Sequence, residues 1–181
     1  MDGPIRAQFE HLRSTDKQVQ NEAFFALIAA TEQPVNWAYE VWDGLVNDLG
    51  DKDNHVRAIA AQLLCNLAKS DPEGRMLKDF PALLNVTRDA RFVTARHCLQ
   101  NLWKVGAAGA PQQAMLLDGL RLRFDECSAE KNCTLIRHDI AVGLRTLYDL
   151  RPDESIRATV LALIETESDS KYRKKYAVVW K

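Results

Sequence analysis

The chain has 181 residues, 24 Lys+Arg against 25 Asp+Glu for a formal net charge of −1, and 46% apolar side chains. That apolar fraction excludes a disordered chain, which buries too little to offset its ordering entropy, and the length suits one domain or one unbroken repeat array. Near-zero net charge argues against an indiscriminate polyanion binder. Four cysteines (Cys65, Cys98, Cys127, Cys133) are too sparse for a secreted disulfide framework.

Residues 1–13 carry Asp2, Arg6, Glu10 and Arg13 with no apolar core segment, so no secretory signal is expected. Apolar runs such as Ala26–Ala30 are far too short to span a bilayer. The expected address is the cytoplasm, with no membrane partner. Apolar spacing is helical along the whole chain and nowhere alternates with a strand's period of two. First helices are predicted at Pro4–Leu12, Pro34–Leu49, Pro72–Val86, Pro111–Glu126 and Pro152–Thr166. Each begins at a proline, whose fixed φ and missing N–H are tolerated in a first turn. Pro81 is expected to kink or split the third. Second helices follow Asp16, Asp53 and Asp169 as N-caps. The Gly/Ala-rich stretch Gly106–Pro111 reads as the most mobile joint, and Cys127–Asn132 as an irregular insertion in the fourth unit.

A repeat underlies this order. From a start position, offsets +1, +4, +7 and +8 read Val19, Gln20, Ala23, Ala26, Leu27, then Val56, Arg57, Ala60, Leu63, Leu64. The ladder continues as Ala95, Arg96, Leu99, Leu102, Trp103, as Ile136, Arg137, Ile140, Gly143, Leu144, and as Tyr172, Arg173, Tyr176, Val179, Trp180. Starts lie 37, 39, 41 and 36 residues apart, one helix pair per unit. Offsets 0, 4, 7 and 8 share one helical face, which explains their apolar character. Periodicity does not require the recurring Arg at +1 or the Asp at −3. Trp103 and Trp180, at +8, read as core, whereas one of Trp37 and Trp42 is free to be exposed. Phe24 and Phe25 are adjacent, so both cannot enter one core, and one is expected to face a neighbouring helix pair or a groove.

The run Asp53, Val56, Arg57, Ala60, Leu63, Leu64, Leu67 resembles the second helix of the HEAT-repeat family, an armadillo-like architecture. The resemblance covers nearly the whole chain and departs from the family pattern at Gln20, Phe92 and Cys133. It implies an all-α, right-handed α-solenoid of about five antiparallel helix pairs. Residues 1–181 then form a single domain with units near 4–32, 33–69, 70–106, 107–151 and 152–181. It also implies that the second helices line a concave face and that the +1 arginines pair with Asp between repeats.

Chemistry is sparse by comparison. His11, His55, His97 and His138 make no metal-ligand spacing with the cysteines, and no phosphate loop or nucleophile elbow occurs. Glu126 and Glu130 can share a helix face, where a solvated surface is the simpler reading. No catalytic, metal or cofactor residue is assigned. Charge is the more informative signal: second-helix segments sum to +8 and first-helix segments to −8. His97, Gln100, Asn101, Lys104, His138, Arg145, Lys174 and Lys181 are therefore expected on one basic strip of the concave face. The expected function is a non-enzymatic scaffold or adaptor binding a protein partner with an acidic or helical segment. Nucleic-acid backbone binding is the alternative, and an enzyme on the same scaffold, akin to HEAT-like DNA glycosylases, comes third. The end Tyr176, Val179, Trp180 lacks a polar outer face: these residues either pack back onto the preceding pair, leaving a modest exposed patch, or point to self-association through the last helix or a further C-terminal extension.

Overall fold

Aspartate side chains start most of the helices. Asp2 accepts the N–H of Ile5 at α1 (Gly3–His11), and Asp16 those of Gln18 and Val19 at α2 (Lys17–Ala30). After the uncapped α3 (Ala38–Asp48), Asp53 accepts from His55 at α4 (Asn54–Leu67). The buried Asp71 carboxylate takes the N–H groups of Arg75 and Met76 at α5 (Arg75–Asn85). Each such bond satisfies a donor that the helix itself cannot. In the third and fourth units the −3 residue is not Asp. There α6 (Phe92–Leu99) and α9 (Cys133–Leu150) start on Phe92 and Cys133 themselves, without a side-chain cap. Between them lie α7 (Trp103–Ala107) and α8 (Ala110–Glu126). Asp153 opens α10 (Glu154–Thr166) and Asp169 opens α11 (Ser170–Val178). This computed structural model describes residues 1–181; it contains three short 3-10 turns besides the α-helices and no strand. No helix is long and apolar enough to cross a membrane.

Second helices adjoin in chain order: α2 meets α4, α4 meets α6 and α7, these meet α9, and α9 meets α11. First helices adjoin likewise from α3 through α5 and α8 to α10. Phe9 joins α1 to Trp37, just ahead of α3, through edge-to-face rings 5.9 Å apart. One apolar cluster fills the space between, from Leu12 to Tyr176. The ladder residues Leu27, Leu63, Leu64, Leu102, Ile136 and Leu144 are all buried in it, each contributing roughly 1.5–3 kcal/mol by leaving water.

Several expectations are corrected here. Pro81 does not split α5, which runs unbroken through it with the ring on the exposed side. Gly106–Pro111 is no loose joint: only Ala108 and Gly109 separate α7 from α8. A Cβ on Gly106 would stand 2.7 Å from Leu116 of α8 and 2.8 Å from Leu147 of α9, so those two helices close on the missing side chain. Both Trp37 and Trp42 are buried, and the Trp42 indole N–H donates to Asp79 at 2.9 Å. Trp103 and Trp180 are only half-buried. The reason at Trp103 is a break in the third unit. Asn101, Lys104 and Val105 donate to carbonyls three residues back, which overwinds the chain between α6 and α7.

Candidate functional site

The arginines at offset +1 bridge consecutive units. Arg57 makes a two-point pair with Asp89, Nε to Oδ2 at 2.5 Å and Nη2 to Oδ1 at 2.9 Å. Arg96 does the same with Asp139 at 2.7 and 2.9 Å, and Arg137 reaches Glu167 at 2.9 Å. Each acid comes from the unit that follows. Burial alone would raise the Asp89 pKa, but the bond from Arg57, the Arg91 N–H and the two guanidinium charges together hold it below the ordinary value. Gln20, where the pattern lacks Arg, donates to Leu12 O at 2.8 Å instead.

The expected basic strip does not survive as a set of free charges. Lys104 is the main correction: its ammonium donates to Asn66 Oδ1 at 2.7 Å and Asn101 Oδ1 at 2.6 Å. Asn66, itself buried, donates onward to Thr31 Oγ1 at 3.0 Å, so the lysine closes a polar network joining α2, α4 and α7. Burial lowers the Lys104 pKa, and the Cys65 thiol beneath it is pushed up to about 12 by its own burial. Arg145 is tied to Asp149 on its own helix at 2.8 Å and lies over the Trp180 ring, 5.6 Å from its centroid. His138 is half-buried beside Tyr176, and Gln100 lies 3.5 Å from Asp139. Asn101 donates to His97 O at 2.9 Å. His97, Lys174 and Lys181 are exposed, the first on α6 and the others at the far end of the chain. Glu126 and Glu130 are not merely solvated either. Glu126 pairs with Arg88, and Glu130 accepts from both terminal nitrogens of Arg123. Arg123 is fully buried and also donates to Thr87; no signal in the sequence marks it.

A different surface is brought together at the other end. Between α2 and α4, reaching α6, lies a groove of about 660 Å³ whose walls include Phe24, Phe25, His55, Gln62 and His97. The two phenylalanine rings sit 5.3 Å apart; Phe24 packs inward while Phe25 stays 60% exposed. Val93, one turn before His97 on α6, is 67% exposed. The lining holds Lys17, two imidazoles and several amides, and no carboxylate. Such a surface offers apolar contact together with hydrogen-bond donors. The adjacency of Phe24 and Phe25 signalled part of it. His55, at offset −1 of the repeat, carries no formal charge at neutral pH, so the charge pattern does not mark this groove. His97 and Cys98 diverge, the imidazole exposed and the thiol buried, and the other three thiols are buried too.

No family model and no curated protein matches the chain. Among solved structures, it is similar to an engineered protein from the Northeast Structural Genomics Consortium, with a TM-score of 0.50 and 16% identity. The similarity covers 98% of this chain and 57% of that one, so the chain spans a little over half its length. At that identity the likeness concerns the all-helical fold alone.

Proposed function

We propose that the chain is a non-enzymatic helical-repeat scaffold of the HEAT-like, right-handed α-solenoid kind, acting in the cytoplasm. On this reading the second helices form a concave face that binds an acidic or helical segment of a protein partner. Units that contact only their neighbours produce an extended surface of this sort, suited to a partner segment. The observation that carries the reading is the groove between α2, α4 and α6, where exposed Phe25 stands with His55 and His97 and no carboxylate lines the walls. An apolar side chain of the segment would cover Phe25, and its carboxylates would meet the imidazoles and Lys17. The inter-unit pairs of Arg57, Arg96 and Arg137 support the repeat reading, since each links one helix pair to the next. Those same pairs weaken the nucleic-acid alternative in part, because three of the cations counted in the basic second-helix segments already have partners.

The test compares immobilised wild-type protein with Phe25→Glu and His97→Glu variants in cell extract, with circular dichroism as the control for folding. Proteins retained by the wild type and lost from both variants are the expected result. Identical retention by all three would overturn the groove as the binding site. A salt titration with an oligonucleotide belongs in the same series. Steep log-linear weakening there would favour phosphate binding over the protein segment.

A further inference from the structure

At Gly106, Gly119 and Gly143 a Cβ would meet another helix: Leu116 at 2.7 Å, the Phe80 ring at 2.8 Å and Leu99 O at 3.8 Å. Gly44, in the middle of α3, differs, because a Cβ there would meet nothing within 4 Å. Glycine inside a helix is destabilising relative to alanine, and here no neighbouring element needs the room.

Beside Gly44, between α1, α3 and α4, lies a pocket of about 190 Å³. Phe9 and Leu12 wall it on one side, Val41 and Leu45 of α3 on another, and Val56 and Ile59 of α4 on a third. The buried Ala60 adds only a methyl group. The exposed members of the lining, Arg13 and Gly44, mark its mouth. Protein interiors seldom leave a void larger than a water molecule. An apolar cavity of about 150 Å³ lined by such side chains stays dry and admits benzene.

The charges at the pocket are already matched. Arg13 and Asp48 are the ionic side chains of the lining, and one guanidinium nitrogen lies 2.7 and 2.6 Å from the two carboxylate oxygens. An ionic ligand would have to compete with that pair for its countercharge. A sugar or nucleotide would find too few polar partners and too little room. The remaining lining offers apolar contact and one aromatic wall, Phe9, whose ring is held edge-to-face against Trp37 at 5.9 Å.

We propose that this pocket is a binding site for a small, neutral, hydrophobic molecule the size of one aromatic ring. The ring packs against Phe9 and the aliphatic walls, and Gly44 keeps the space open for it. The site is separate from the groove between α2, α4 and α6, although Ile59 lines both.

Titration of the methyl-labelled full chain with toluene, followed by NMR, tests this. Saturable shifts confined to the methyl groups of Leu12, Val41, Leu45, Val56 and Ile59 are the expected result. Gly44→Leu fills the pocket and should weaken toluene binding by about tenfold or more while helicity is kept. If Gly44→Leu loses helicity by circular dichroism, Gly44→Ala takes its place. The narrowed pocket should then discriminate against p-xylene more than against toluene, and an unchanged ratio overturns the proposal. Shifts that never saturate, or that spread over exposed apolar side chains elsewhere, also overturn it. Benzoate or benzylamine binding the pocket more tightly than toluene would overturn the neutral class of ligand. Loss of a retained protein from Gly44→Leu, without toluene binding to the wild type, would overturn it in favour of an anchor for a partner's side chain.

Discussion

Arg57 and Asp89, thirty-two positions apart, meet through two charge-assisted hydrogen bonds, and Asp89 keeps only 5% of its side-chain surface in water. The pair is thus more than a surface contact. Arg57→Ala would strand a nearly buried carboxylate and is expected to lower stability by about 2–3 kcal/mol. Arg13→Ala, which breaks a pair whose arginine is 58% exposed, should cost less than about 1 kcal/mol. Urea denaturation of both variants checks the contrast, and equal losses would refute it.

A second expectation concerns Lys104. Its ammonium satisfies the amide oxygens of Asn66 and Asn101 between three helices. Lys104→Glu sets a carboxylate against those oxygens and should destabilise the protein by roughly 1–3 kcal/mol. Lys174→Glu, on an exposed position, should stay within about 0.5 kcal/mol. Melting temperatures of the two variants would reverse this order if Lys104 were a free surface cation.

Lys104 also shows where sequence reading stops. The caps Asp16, Asp53 and Asp169 were legible because an N-cap is a local event, decided by a side chain and two nearby N–H groups. Arg57, Arg96 and Arg137 stood out because a charge recurred where amphipathicity did not demand one, and the resemblance to HEAT repeats implied their pairing between units. Lys104 was misplaced because helical periodicity was carried across Gln100–Leu102 as if the winding were uniform. Bonds to carbonyls three residues back overwind that turn, advancing each residue by roughly 20° more than an α-helix does. Lys104 therefore leaves the face assigned to it, while Trp103 packs against the core only half-buried. The groove at Phe25 depends on three helices meeting side by side, which no single-helix pattern encodes.

His138 makes stability depend on pH. Burial lowers its pKa below 6.5, Lys175 and Arg96 push the same way, and Asp139 opposes them. The unfolded chain therefore takes up this proton first, so the folded state loses stability as pH falls from 6.5 through the lowered value. A His138→Gln variant lacks that loss. Its melting temperature should gain on the wild type as the solution is acidified, and parallel profiles would contradict the assignment.

Two glycines should respond in opposite senses to the same substitution. Gly106→Ala drives a methyl group to 2.7 Å from Leu116 and 2.8 Å from Leu147, both fully buried, and should cost about 1–3 kcal/mol through overpacking. A Cβ on Gly44, in the interior of α3, would meet nothing within 4 Å and borders a cavity of about 190 Å³. Gly44→Ala should therefore stabilise the protein by roughly 0.5–1 kcal/mol, from helix propensity alone. Chemical denaturation of the pair reads both signs directly.

The reach of the tertiary bonds bears on how the chain is made. The longest hydrogen bond in sequence, Arg151 to Ala107 O, spans 44 positions, and the longest ion pair, Arg96 to Asp139, spans 43. A newly synthesised segment thus finds its partners in what has just emerged from the ribosome, with no distant strand or terminus to await. Closing such short loops carries a small entropic cost and favours rapid folding. The growing chain can settle unit upon unit, each ion pair fastening the latest arrival to the one before it.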